Sequence, residues 1–276
     1  MRFAKAHGTG NDFVVLPDPD GELDLAPATV IALCDRRRGI GADGVLRVVR
    51  SAKDAESAGL AGAAEWFMDY RNSDGSIAEM CGNGVRAFAR YLVESDLVAG
   101  ATSFPVATRA GIVQVAVGPA TITADMPLPM VSGRGETVID SITYKGTTVT
   151  VGNPNLIITL PDTAALEAID LSRQPELSAT AFPKSANVEF IVYGTPIDGA
   201  DARVTMRVHE RGAGETMSCG SGACAVAAAV LDAAGKPAGT VIVDVPGGRL
   251  SIKVDGATCR LTGPAVIVAT GETTLI

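Results

Sequence analysis

Two stretches, Glu79-Met80-Cys81-Gly82-Asn83-Gly84 and Met217-Ser218-Cys219-Gly220-Ser221-Gly222, repeat one phrase, and each opens a long apolar, alanine-rich run. A cysteine followed by Gly, a small polar residue and Gly, just where a helix should begin, sets a thiol at a helix N-terminus twice. Working outward at the same offset, 81 to 219, residue for residue, Met68 falls on Met206, Tyr70 on Val208 and Asn72 on Glu210. After each cysteine the order is the same: a helix-like run, a strand-like run, a Gly-containing turn and another strand-like run, reaching Ile112–Val117 in the first half and Leu250–Val254 in the second. Upstream, Gly10-Asn11-Asp12-Phe13-Val14-Val15-Leu16 resembles Gly152-Asn153-Pro154-Asn155-Leu156-Ile157-Ile158, and a few residues of loop difference account for the changed offset. So long a period predicts two related domains rather than a solenoid, whose repeats are several-fold shorter.

The 276-residue length suits two cores of roughly 135 residues. Strand-like segments dominate from Phe13–Leu16 to Ala265–Ala269, and helices are expected at Ala26–Arg37, Gly84–Glu94, Ala164–Leu171 and Gly222–Ala234. The last of these is apolar almost all round, so it should run through the middle of its domain, wrapped by that domain's strands. The fold class expected is α/β (α+β): two pseudo-symmetric domains, each a mixed or antiparallel sheet barrel around a central helix. Met126-Pro127-Leu128-Pro129-Met130-Val131-Ser132-Gly133 has the punctuation of a crossing between them. The expected halves are 1–125 and 126–263, with 264–276 returning to the first.

Composition narrows the function. With 47% apolar and 20% charged residues the chain is an ordinary soluble type, and a net charge of −8 argues against nucleic acid. Arg36-Arg37-Arg38 is the one basic cluster and reads as a solvated helix end. No apolar run approaches the ~20 residues that cross a bilayer, and the first residues lack a signal-peptide core, so a cytoplasmic location is expected. Five cysteines, an odd number, make a disulfide scaffold improbable. Cys34, Cys224 and Cys259 lie in core-like runs and read as inert. Cys81 and Cys219 have the setting of reactive thiols. At each helix start the Gly82-Asn83 and Gly220-Ser221 amides are suited to a carboxylate, and the dipole biases the thiol toward thiolate, by about one pKa unit or less. The ligand spacing of zinc sites is absent and no lysine has a distinctive setting, so neither a metal nor pyridoxal phosphate is expected.

These stretches, with His7-Gly8-Thr9-Gly10-Asn11-Asp12-Phe13, Arg38-Gly39-Ile40-Gly41-Ala42-Asp43-Gly44, Arg71-Asn72-Ser73-Asp74-Gly75-Ser76, Gly152-Asn153-Pro154, Asn187-Val188 and Glu210-Arg211-Gly212-Ala213-Gly214-Glu215-Thr216, closely resemble diaminopimelate epimerase. The resemblance runs in order along nearly the whole chain. It implies a cofactor-independent isomerase of lysine and cell-wall precursor synthesis, with its active site in the cleft between the domains. Cys81 and Cys219 would face opposite sides of the substrate α-carbon, one removing a proton and the other returning one. Asn11, Asn72, Asn153, Asn187 and Arg211 would hold diaminopimelate, and Glu210 would contact an ammonium group or tune a cysteine. Family relatives are often dimers, which allows a homodimer.

Two positions depart from the family pattern. Many relatives carry histidine after the Gly-Asn-Pro where this chain has Asn155, and some carry glutamine where it has Gly44. Two other readings compete. A proline racemase-like enzyme shares the two cysteines, but its small cyclic substrate gives no reason for the distal group of Asn72, Asn187 and Arg211. A thiol redox protein would use cysteines without turning over an amino acid.

Overall fold

The computed structural model describes residues 1–275, which divide into two compact units, 1–124 with 263–275 and 125–262. The first begins with a hairpin of β1 (Arg2–Gly8) and β2 (Asn11–Pro17), joined by Thr9 and Gly10. Both loop residues have positive φ, 50° and 80°, the geometry whose twist matches a two-residue hairpin. There follow α1 (Pro27–Cys34), β3 (Gly44–Arg50), β4 (Trp66–Asn72), α2 (Gly82–Glu94), β5 (Ser103–Thr108), β6 (Gly111–Val117) and β7 (Thr121–Met126).

The second unit contains β8 (Met130–Ile139), β9 (Ile142–Val151), β10 (Asn153–Thr159), α3 (Thr163–Ala168), β11 (Glu176–Leu177) and β12 (Asn187–Tyr193). It continues through β13 (Ala202–Glu210), β14 (Gly214–Thr216), α4 (Gly220–Ala233), β15 (Gly239–Val245), β16 (Gly248–Val254) and β17 (Cys259–Pro264). β18 (Val266–Glu272) then completes the first unit by pairing antiparallel with β1.

The duplication is topological as well as sequential. In the first unit the strands pair in the order β18-β1-β2-β3-β4-β5-β6-β7, with β2–β3 and β4–β5 parallel and the other pairs antiparallel. The second unit pairs β8-β9-β10-β12-β13-β15-β16-β17, with β10–β12 and β13–β15 parallel and the rest antiparallel. Each chain of pairings therefore has parallel steps at its third and fifth places. β11 and β14 are additions on β8 and β13.

Each unit is built around one helix. α2 packs against β1, β2, β3, β4, β6 and β18, and α4 against β8, β9, β10, β12, β13, β15 and β16. Ala223 through Leu231 of α4 are all buried, so a helix without a polar face finds apolar partners all round it. α2 can afford a polar edge: Arg90 caps the carbonyls of Ala265 and Gly118, and Arg86 turns back to its own first turn.

Some local expectations are corrected. Irregular backbone after β7 is confined to Pro127-Leu128-Pro129, and β8 begins at Met130 within the stretch read as a crossing. Gly135 and Gly146 pair with each other across β8 and β9, and a Cβ on Gly146 would lie 2.2 Å from the Ile157 carbonyl oxygen. β1 and β8, unread in the sequence, are strands because their partners β2, β18 and β9 supply the ladder. α1 stops at Cys34, and Arg36 is no solvated helix end, since its guanidinium bonds Asp12 and Asp43.

Candidate active site

Cys81 and Cys219 are the N-caps of α2 and α4. Both residues have extended backbone, and each sulfur accepts a first-turn amide: Gly84 N to Cys81 Sγ is 3.3 Å and Gly222 N to Cys219 Sγ is 3.4 Å. A cap normally uses a side-chain oxygen to satisfy one of the unpaired amides of a first turn. Here a thiol occupies the place, so the most polarising backbone groups of the helix touch the atom available for chemistry.

Around Cys81 the second layer is a chain of oriented amides. Arg86 Nη2, a donor only, bonds Asn83 Oδ1 at 3.0 Å and Thr9 Oγ1 at 2.9 Å. That turns Asn83 Nδ2 toward Asn11 Oδ1, 3.3 Å away, while Asn11 Nδ2 donates to Asp43 Oδ2 at 2.7 Å. Since a carboxylate accepts only, Asn11 must present its carbonyl to Cys81, whose S–H donates to it across 3.7 Å. Asp43 is held in turn by Arg36, which also bonds Asp12, and Lys5 joins Asp12 at 2.5 Å. Burial alone would raise the Asp12 carboxyl, but Arg36 and Lys5 reverse this and hold it at about 2. The two-residue hairpin sets Asn11 at the start of β2, so a turn signal and a cation cluster together position one amide.

Around Cys219 the parts differ. Asn187 Oδ1 accepts the backbone amide of Arg211 at 2.9 Å, which fixes the other end of its side chain. Nδ2 therefore points to Cys219 Sγ at 3.6 Å and to Asn155 Oδ1 at 3.1 Å. Asn155 donates onward to the carbonyls of Asn153 and Val149. The residue that departs from the family pattern is thus fully buried and braces Asn187. Ser221 Oγ lies 3.5 Å from the same sulfur, and Glu210 accepts from Thr216 Oγ1.

Cys219 is 4% exposed, and its thiol is pushed well up from its ordinary value, by burial first and then by Glu210 and Glu189, against the lowering pull of Ser221 and the Gly222 amide. The bias toward thiolate expected at both helix starts is therefore reversed here: a helix end supplies about a unit, and burial beside carboxylates exceeds it. Of the other cysteines, Cys34 is buried and raised to about 11, chiefly by that burial, while Cys224 and Cys259 are buried.

The sequence-selected residues thus gather in two groups. Asn11, Gly82 and Asn83 surround Cys81; Asn187, Asn155, Arg211 through its backbone, Gly220 and Ser221 surround Cys219. Asn153 enters through its carbonyl. Asn72 instead ends β4, with its amide donating to Ser76 Oγ at 3.0 Å, and the Arg211 guanidinium reaches the Lys184 carbonyl. Gly44 pairs with Asn72 across β3 and β4, and a Cβ there would meet the Arg71 carbonyl at 2.5 Å and the Tyr70 ring at 2.7 Å. The space of a side chain at 44 is filled by Tyr70, which stands edge-on to Phe13. Thr9, Asp43, Arg86 and Glu189 were not singled out in the sequence. Thr9 and Asp43 lie inside quoted motifs, but nothing local marks Glu189 or the part Arg86 plays at the site.

The sequence model described as diaminopimelate epimerase matches residues 3–127 and 147–276, omitting β8 and the first half of β9. A diaminopimelate epimerase from Thermobifida fusca is 52% identical over 280 residues, covering 100% of this chain and 98% of its own. Among solved structures, a phenazine biosynthesis protein of the PhzF family from Bacillus anthracis superposes with a TM-score of 0.73 at 16% identity, covering 99% of this chain and 98% of that one. A hydroxyproline epimerase from Agrobacterium vitis gives 0.63, also at 16%, covering 98% and 91%. At such identities the structural likenesses show a shared two-domain fold.

Proposed function

The chain belongs to the diaminopimelate epimerase family, and from that premise we propose that it interconverts LL- and meso-diaminopimelate, with Cys81 and Cys219 as its two bases. The observation that carries this reading is that both thiols cap helices at equivalent places of a duplicated topology, each bonded by a first-turn amide.

Inversion at a carbon needs a proton removed from one face and another delivered to the opposite face. One sulfur, as thiolate, takes the α-proton; the α-carbon–hydrogen bond breaks and its electron pair spreads toward the substrate carboxylate. The other sulfur gives up its S–H proton, and a new bond forms on the far face. No electron leaves the system, so no oxidant is required. The enzyme ends with its proton on the other sulfur, ready for the reverse reaction or for exchange with water.

First-turn amides of a helix suit the carboxylate on which charge develops. Asn11, Asn72, Asn153, Asn187, Glu210 and Arg211 supply what a substrate with two amino-acid ends demands: amide oxygens and a carboxylate for ammonium groups, and a guanidinium for the distal carboxylate. Such an enzyme works in the cytoplasm, where its thiols stay reduced, and association as a homodimer is compatible with this chemistry. Among the described residues no helix is long and apolar enough to cross a membrane.

The test is epimerisation of LL-diaminopimelate in deuterated water. Product carrying deuterium at the inverted α-carbon, with loss of turnover in both Cys81→Ala and Cys219→Ala, is expected. Full activity in either variant would overturn the two-base assignment.

A further inference from the structure

Beneath the first turn of α4 lies a carboxyl group that the chemistry above does not use. Glu189, in the middle of β12, is 0% exposed, and both of its carboxyl oxygens lack a hydrogen-bond partner among the described residues. A Cβ on Gly222 would lie 2.5 Å from Glu189 Oε1, so the carboxyl is pressed against the residue whose amide holds the Cys219 sulfur. In strand register Glu189 pairs with Val208; by the two-residue alternation of a strand Asn187 shares the face of Glu189, and Glu210 that of Val208. The corresponding register in the first unit pairs Leu46 with Tyr70, and a Cβ on Gly84 would meet Leu46 Cδ2 at 3.4 Å. One half of the molecule has leucine in this place, and the other a sealed carboxyl.

We propose that Glu189 is a positioning residue for Cys219: its carboxyl takes the negative charge available beneath α4 first, and so leaves the proton on the Cys219 sulfur. The ionisable groups about it are Cys219 on α4 and Glu210 on β13; Asn155 on β10 and Asn187 on β12 are neutral. Burial penalises charge on the carboxyl and the thiol alike, while a carboxyl is ordinarily the stronger acid, at 4.5 against 9.0. As pH rises the pair therefore yields its first proton from Glu189, and the carboxylate that results opposes a second charge on sulfur. Resting on the two-base reading above, this makes Cys219 the proton donor at the start of the cycle.

The test reads Cys219 without substrate, so it stands apart from whether the protein epimerises diaminopimelate. Thiolate absorbance is titrated with pH for the protein and for its Cys219→Ser variant, and the difference isolates Cys219. Glu189→Gln removes the ionisation and keeps the shape; Glu189→Leu copies the other unit. The Cys219 midpoint is expected to fall by about one pH unit or more in whichever variant melts as a folded protein. An unchanged midpoint would overturn the proposal, because a purely structural role moves the melting curve and not the titration. In the unaltered protein, carbon NMR of labelled glutamate should show one carboxyl that ionises at higher pH than the others but below the Cys219 midpoint, and a thiol that ionises before that carboxyl would equally overturn it.

Discussion

The floor beneath Cys81 and the floor beneath Cys219 are built from equivalent strands with opposite materials. Gly44, Leu46 and Tyr70 make the first apolar and fill it with an aromatic ring; Asn187, Glu189 and Val208 make the second polar and fill it with an amide and a carboxyl. The amides beside the sulfurs are anchored differently too. Asn11 hangs from Asp43 within a network of Asp12, Arg36 and Lys5, whereas Asn187 hangs from a backbone N–H. The helix caps are alike in the two units and the groups around them differ, which is what the proposed two-base reaction on an asymmetric substrate would require.

The most severe way to break this comparison is to remove one thiol at a time. Cys81→Ala and Cys219→Ala should each lower kcat/KM by ~10²–10⁴-fold, the usual worth of a positioned acid or base, measured by release of tritium or uptake of deuterium at the α-carbon. A loss confined to one of them would mean that the halves are not chemically paired.

The floors themselves are probed by the glycines above them. Gly222→Ala drives a methyl group to within 2.5 Å of a fully buried carboxyl and should destabilise by about 1–3 kcal/mol in urea melts. Gly84→Ala meets its nearest neighbours, Cys81 Cβ and Leu46, at 3.3 and 3.4 Å, and the helix preference of alanine offsets the crowding, so it should be near neutral. Equal costs would refute this difference in packing.

The anchors differ in their response to acid. Asp12 is lowered from 3.8 to about 2 in the folded protein, so its contribution is present in full above about pH 4 and is lost as pH falls toward 2. Asp12→Asn should therefore cost on the order of 2 kcal/mol at pH 7, and the gap from the unaltered protein should close between pH 4 and pH 2 in denaturant titrations. A pH-independent gap would show that Asp12 acts by shape rather than charge.

The smallest effect concerns the caps. Serine is a better N-cap than alanine by ~0.5–2 kcal/mol, so Cys81→Ser and Cys219→Ser should both melt above the matching alanine variants while remaining inactive. A difference in one half only would show that the other helix does not depend on a capping side chain.

Much of this architecture is legible in the chain. The repeated Cys-Gly-x-Gly, the Gly-Asn turns and the all-apolar run after Cys219 are local signals, each set by a few neighbouring residues, and they located α2, α4 and both thiols. β8 was hidden because it is mostly exposed and interrupted by Gly133 and Gly135, so it has no alternation to read. β18 was half hidden for the same reason, with Val266 and Val268 exposed on it.

The sequence by itself determined the duplication, the two capped helices and the residue types that can move a proton and hold a zwitterion, because those depend on spacing along the chain. Only tertiary structure decided that Leu46 lies under one helix start and Glu189 under the other, that Asn11 shows a carbonyl to its sulfur and Asn187 an N–H, and that burial pushes the Cys219 thiol up. These follow from strand register, hydrogen bonds and burial that join residues tens of positions apart. Such couplings leave no local trace, since their energy exists only once the strands are paired around the helix.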